Sequence, residues 1–251
     1  MTIFKRISLT LCGLLIAVPC FAQESVQAAF TKGNGYYEKG EFLKAAGEYE
    51  KVLEEGYESL PLYYNLGNSY FKADEKGKAI LNYARALRLD PRDADLKSNY
   101  RFVKDTVAGG IQPEGRFWMA GLVKSYSDEF TVNELLWMTT ALYILLIALL
   151  FVLVTVPDLY RKAVTVFVIV AALFVINSGI VWQKVRSAGR EAVVIASEAE
   201  SRYAPFETAT AYFRLHEGME VDVLTAKGGW AKIKRADGKI GWVPEKDIET
   251  I

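Results

Sequence analysis

The chain matches itself at a fixed offset. Gly33 aligns with Gly67, Tyr36 with Tyr70, Ala45 with Ala79 and Tyr49 with Tyr83, each pair 34 positions apart. Self-similarity at such a period marks a stack of supersecondary units, each of which hides its apolar face on the next. Glycine and alanine where two helices cross, with tyrosines filling the gaps, is what antiparallel helix pairs require. The spacing predicts helices over Val26–Lys39, Phe42–Glu54, Pro61–Lys72 and Lys76–Leu89, with a closing helix over Asp93–Asp105. Two units fall below the usual minimum of about three, so something else must cover the end of the stack.

The second copy reads Tyr63-x-x-Leu66-Gly67-x-x-Tyr70, then Ala79-x-x-x-Tyr83, then Pro91, and resembles the tetratricopeptide repeat (TPR). The resemblance implies a superhelix over residues 25–106 whose concave face presents Phe30, Asn34, Tyr37, Tyr64, Asn68 and Phe71 to a protein partner. Amides there would bond the backbone of an extended or helical peptide; equally, each aromatic would serve as packing between helices. Asn34 and Asn65 match the amide positions of the subfamily that clamps C-terminal carboxylates. Phe30, Asp95 and Asn99 stand where its cations belong, so that clamp is broken.

Of the 251 residues 51% are hydrophobic, and 30 basic side chains balance 30 acidic ones. Without a cationic excess there is no electrostatic case for nucleic acid. The apolar content is uneven. Residues 1–22 read as a signal peptide, with Lys5 and Arg6 ahead of Leu9–Val18 and a small-x-small site at Cys20-Phe21-Ala22. A lipid anchor on Cys20 is disfavoured by Pro19. Cys12 and Cys20 both lie in this segment, so a cleaved chain has no thiol for disulfides, nucleophilic catalysis or metal ligation.

Leu135–Pro157 and Ala163–Trp182 are uncharged runs of 23 and 20 residues, against about 20 needed to span a bilayer. They are assigned to transmembrane helices at 133–157 and 163–183, joined by a tight turn, and Thr131-Val-Asn-Glu134 is a capping box ahead of the first. Trp137 and Trp182 fall at the ends that share one interface. Asn177, Ser178 and Gly179 form the polar and small cluster expected at a helix–helix contact. The connecting stretch 107–132 holds the breakers Gly109-Gly110-Ile-Gln-Pro113. Its Phe117, Trp118, Leu122, Val123 and Tyr126 would form the apolar side of an interfacial helix or an ordinary connector. The signal peptide places the repeats outside the cytosol and the hairpin returns the C-terminal part to the same side. Arg161 and Lys162 in the turn, set against Arg116, Lys124, Lys184, Arg186 and Arg190 on the outer flanks, would alone favour the reverse.

Residues 190–251 change period to about five short strands, including Ala192–Ile195, Glu220–Leu224, Trp230–Lys234 and Lys239–Val243, with a hairpin signal at Asp237-Gly238. Gly229-Trp230 followed by Gly241-Trp242-Val243-Pro244 resembles a bacterial SH3-like barrel. Asp247 occupies the position where polyproline-binding relatives carry tyrosine. Tyr212, Phe213, Trp230 and Trp242 would form a ligand surface, unless a tryptophan is needed as core. His216, the one histidine, is expected in a turn with no catalytic or metal-binding partners. No phosphate-cradling loop follows Gly109-Gly110. No catalytic, cofactor or metal site is expected.

The fold class is thus a multidomain membrane protein: an all-α TPR superhelix, a two-helix transmembrane hairpin and a small all-β SH3-like barrel. That architecture resembles the BatE-like proteins of bacterial aerotolerance operons. The resemblance implies a two-pass inner-membrane scaffold, with both soluble parts periplasmic, that works beside membrane-anchored von Willebrand factor A domain proteins and a MoxR-type ATPase. The alternative is a cell-wall module whose barrel grips peptidoglycan.

Overall fold

The computed structural model describes residues 25–107 and 118–251. The signal peptide, the Gly109–Pro113 linker, Phe117 and the Trp118 side chain lie outside the described residues.

Helix α1 covers 25–38, followed by α2 (Phe42–Glu54), α3 (Leu60–Lys72), α4 (Lys76–Leu89) and α5 (Ala94–Thr106). These bounds fall within one residue of those expected. The 34-residue period recurs atom by atom. A Cβ on Gly33 would come within 2.6 Å of the Tyr49 ring and one on Gly67 within 2.7 Å of the Tyr83 ring. The crossing of each helix pair therefore requires glycine. Each pair also turns alike: Gly40 and Asp74 both adopt left-handed backbone. The Glu41 and Glu75 amides reach back 2.9 Å to the carbonyls of Tyr36 and Tyr70. The starts of α3 and α5 are capped by side chains. Ser59 Oγ accepts from Leu62 N at 3.4 Å and Asp93 Oδ1 from Leu96 N at 2.8 Å.

Helix α6 (Trp118–Glu129) leads into α7 (Val132–Thr155), a single 3-10 turn (Pro157–Leu159) and α8 (Tyr160–Ser187). Both α7 and α8 are long and apolar enough to cross a membrane. Thr131 and Glu134 make the expected capping box. Helices α7 and α8 pack side by side, joined by Asn177, whose Nδ2 donates to the Leu135 carbonyl at 3.0 Å and to Thr139 Oγ1 at 2.8 Å. Of the expected contact cluster only Asn177 makes this junction; Gly179 faces open space. Two residues further along a helix the side chain has rotated by about 200°, so the two cannot face the same neighbour. At the same open end of the pair, one to two turns further along α8, Lys184 Nζ donates to the carbonyls of Ser127 and Phe130, both at 2.6 Å, and holds the end of α6 against α8.

The C-terminal part is an antiparallel sheet of seven strands rather than about five: β1 (Glu191–Val194), β2 (Glu198–Arg202), β3 (Ala211–His216), β4 (Glu220–Lys227), β5 (Trp230–Lys234), β6 (Ile240–Pro244) and β7 (Ile248–Thr250), in the order β3-β2-β6-β5-β4-β1-β7. The edge strands β3 and β7 are not paired with one another, so the expected closed barrel is replaced by an open sheet. Every strand sends at least one side chain into a shared core of Ala192, Val194, Ala199, Leu215, Val221, Ala231, Ile233, Val243 and Ile248. His216 ends β3, exposed, rather than sitting in a turn. The Asp237-Gly238 turn joins β5 to β6 as its sequence requires, with Gly238 at φ 82°. Arg235 holds the Asp237 carboxyl down at about 2.

The sheet is seated on the repeats. Val193, Ile195 and Ile251 join the helical core, and Gly218 abuts Ile80 and Val107. Gly77 N donates to Glu217 Oε1 at 2.6 Å. Arg85 pairs with Glu249 at 2.9 Å, Arg88 with Glu191 at 3.1 Å and Lys104 with Glu220 at 2.8 Å. The Tyr100 hydroxyl also meets Glu220, and burial raises its pKa well above the usual phenol value. The sheet thus lies against α4 and α5, where the second helix of a third repeat would pack, and the short stack is covered in cis.

Candidate protein-docking groove

Helices α1, α3 and α5 are the first members of successive pairs, and their common side carries the sequence-expected residues. Asn34 and Asn68 are equivalent by the repeat. In each, Oδ1 accepts a hydrogen bond from the tyrosine of the paired helix, Tyr49 to Asn34 and Tyr83 to Asn68, both at 2.6 Å. Asn65 Nδ2 adds a longer bond of 3.4 Å to Asn34 Oδ1. In this arrangement the Nδ2 end of each amide points away from its tyrosine. The Nδ2 groups of Asn34 and Asn68 have no hydrogen-bond acceptor among the described residues. Each is therefore a donor held in place with its proton free, the arrangement that meets a main-chain carbonyl.

The aromatics are shared between groove and packing. Phe30 lies 5.5 Å from the Tyr49 ring, Tyr37 5.3 Å from Phe42 and Tyr64 6.2 Å from Tyr83. All of them are half-buried, leaving part of each ring on the surface. Burial raises the Tyr37 pKa, so its hydroxyl stays a donor.

Helix α5 adds Asn99, expected at a clamp position, and Phe102, expected only within the closing helix. Asn99 Nδ2 donates to the Tyr64 hydroxyl at 2.9 Å. Phe102 stands edge-on to Phe71 at 5.7 Å and is 59% exposed. The signal was present: Asn99 and Phe102 lie 34 positions beyond Asn65 and Asn68. With Asn99 engaged by Tyr64, the position where a carboxylate clamp has a cation holds a neutral, occupied amide.

The second expected surface is only partly assembled. On the sheet, Trp230 and Trp242 share the face opposite the core. Cross-strand register sets Trp230 beside Pro244 and Trp242 beside Lys232. Both rings are half-buried and neither belongs to the core. Tyr212 stacks on Tyr203 at 4.4 Å. Phe213, whose ring meets that of Tyr212 edge-on at 5.1 Å, also packs against the core beneath Arg235 at 4.8 Å.

Compared with known proteins, residues 61–93 match the family described as Tetratricopeptide repeat. That segment is the second helix pair, which carries Tyr64, Asn68, Phe71 and Tyr83. No curated protein matches the chain.

Proposed function

We propose that this protein is a membrane-anchored scaffold whose TPR groove holds a segment of a protein partner. The observation that carries the reading is the duplicated tyrosine-to-asparagine bond, which leaves two oriented amide donors beside half-exposed aromatic rings. Both amides are half-exposed, so an arriving main-chain carbonyl can replace the water at each Nδ2.

The anchoring rests on α7 and α8. The sheet that follows α8 touches the repeats that precede α7, which favours a two-pass arrangement with both soluble parts on one side of the bilayer. The signal peptide favours the extracytoplasmic side. On the architectural resemblance to BatE-like proteins, the partners are other envelope proteins of an aerotolerance operon, membrane-anchored von Willebrand factor A domain proteins among them. The role is binding rather than catalysis.

Replacing Tyr64, Asn68 and Phe71 together by alanine tests the groove. Partner proteins that co-purify with the detergent-solubilised wild type should be lost while the variant still inserts in the membrane. Retention of the same proteins by a folded variant refutes the reading.

A further inference from the structure

The outward face of the sheet carries two patches of opposite sign. Its contact with the repeats is acidic: Glu191, Glu217, Glu220 and Glu249 all meet cations, a hydroxyl or a helix amide on α4 and α5. Around the two tryptophans the sign reverses. Register sets Lys227 opposite Trp230, Lys232 opposite Trp242, and Arg202 on the other flank of Trp242. Lys234 is two residues further along the same face of β5.

Arg202 is already engaged by Glu200 at 3.2 Å and by the Ala209 carbonyl at 2.7 Å. Lys227, Lys232 and Lys234 have no carboxylate partner among the described residues. Asp222 lies opposite Lys234 in register but forms no ion pair with it. In a chain whose formal charges cancel, three unneutralised ammonium groups around a tryptophan pair are a local excess. The same module uses complementary charge to hold its one visible neighbour.

We propose that this face, Trp230, Trp242, Lys227, Lys232, Lys234 and Pro244, is a second docking surface, and that it takes an extended acidic peptide segment of a partner protein. Charge complementarity fixes the sign of the occupant. Spacing fixes its form. Trp230, Lys232 and Lys234 alternate along β5, so their side chains repeat every ~7 Å, which is also the same-face repeat of an extended polypeptide. Glutamates or aspartates at every second position would meet Lys232 and Lys234 in turn, and the next residue on that same side, two positions on, would lie over the Trp230 indole. The Lys232 ammonium stands 5.9 Å from the Trp242 ring centre, where an arriving carboxylate and the ring share it. A lipid surface fits less well, because insertion needs several protruding apolar side chains, and on the outward face of β5 and β6 only Ile240 is exposed while the two indoles lie half-buried, level with lysine stems. The surface is separate from the groove, so either can fail without the other.

The test uses the full-length protein in phosphatidylcholine nanodiscs with tryptophan replaced by 5-fluorotryptophan. The Trp230 and Trp242 fluorine resonances are identified by Trp230→Phe and Trp242→Phe. A synthetic peptide alternating glutamate and threonine should shift both resonances, and added salt should weaken the effect. Lys227→Glu and Lys232→Glu should each lower the affinity roughly tenfold, equivalent to about 1.4 kcal/mol. Lys232→Gln, which keeps the side chain's length, should give a smaller loss with unchanged thermal melting. No response to the acidic peptide, or an equal response to a lysine–threonine peptide, overturns the proposal. So does a response confined to phosphatidylglycerol nanodiscs or to purified cell-wall sacculi, which would assign the face to lipid or to wall polymer.

Discussion

Gly77→Ala tests whether the sheet and the repeats are one body. A Cβ at position 77 would lie 2.6 Å from the Val194 carbonyl oxygen, 2.8 Å from Glu217 Cγ and 3.2 Å from Ile195 Cα. Two of these neighbours are backbone, and a carbon–oxygen contact needs about 3.3 Å or more. Either α4 or the sheet must therefore withdraw by several tenths of an ångström. Overpacking of this kind costs about 1–3 kcal/mol. The withdrawal also stretches the bond from Gly77 N to Glu217, which as a bond to a charged acceptor is worth about 1.5 kcal/mol or somewhat more. Against these stands the gain in helix propensity from glycine to alanine, at most ~1 kcal/mol. The net expectation is a loss of about 2 kcal/mol, or a melting temperature lower by about 4–8 °C for a unit of this size. Gly47→Ala is the matched control. It lies inside α2 with nothing within 4 Å of the added methyl, so only the propensity gain operates and melting should rise by about 2–4 °C. Helical circular dichroism of the full chain in detergent reads both variants. Limited proteolysis of the Ala188–Arg190 connection should show faster cutting in Gly77→Ala alone. If Gly77→Ala melts at or above wild type, as Gly47→Ala does, the sheet is not seated on α4 and the cis cover of the stack is wrong.

Two further expectations follow from the same packing. Tyr49→Phe and Tyr83→Phe should each cost about 1 kcal/mol, Tyr83→Phe somewhat more, because each removes one 2.6 Å bond to the matching asparagine but Asn34 Oδ1 keeps the bond from Asn65; a larger loss in thermal melting for Tyr49→Phe would contradict that pairing. Burial pushes the phenols of Tyr49 and Tyr63 up to about 12, against ~10 when unfolded, so their contribution is complete below pH ~10 and is lost as pH rises from 10 towards 12. Helical ellipticity held constant to pH 12 would contradict that burial.

Much of the helical half is legible in the sequence because its signals are local. Gly33, Gly67, Tyr49 and Tyr83 state the helix crossings, and Thr131 with Glu134 states the start of α7. The sheet is less so. Strand β2 reads Glu-Ala-Glu-Ser-Arg, and its buried positions, Ala199 and Ser201, are small rather than branched or aromatic. No hydrophobic alternation announces it. Strand β7 is three residues long and follows a turn, below any period that can be counted. The seat between sheet and repeats is a long-range fact with one local trace. Gly77 occupies the place that Leu43, 61% exposed, holds in the first unit; the repeat gives up its leucine where the Val194 carbonyl arrives. Phe102 is harder to read for a different reason: α5 continues the period for one helix only, so it reads as an ending rather than as a groove wall.

That single helix of 13 residues is where the three parts of the chain meet. One side of α5 carries Asn99 against Tyr64 and Phe102 against Phe71, the end wall of the groove. The opposite side carries Tyr100 and Lys104 against Glu220, with Val103 buried between. Near its start, Lys97 pairs with Glu129 at 2.8 Å, and Arg92 just ahead of it pairs with Glu134 at the mouth of α7. Leu96, fully buried, pins the helix to the repeat core. A side chain wedged between Phe71 and Phe102 by an occupant of the groove therefore cannot move α5 alone. The displacement must be taken up at the Glu220 contacts, at the ion pairs beside the apolar hairpin, or by both. A two-unit array finished by its own sheet thus ties the Phe71–Phe102 end of the helical stack to the start of the first apolar helix through side chains that touch at every step.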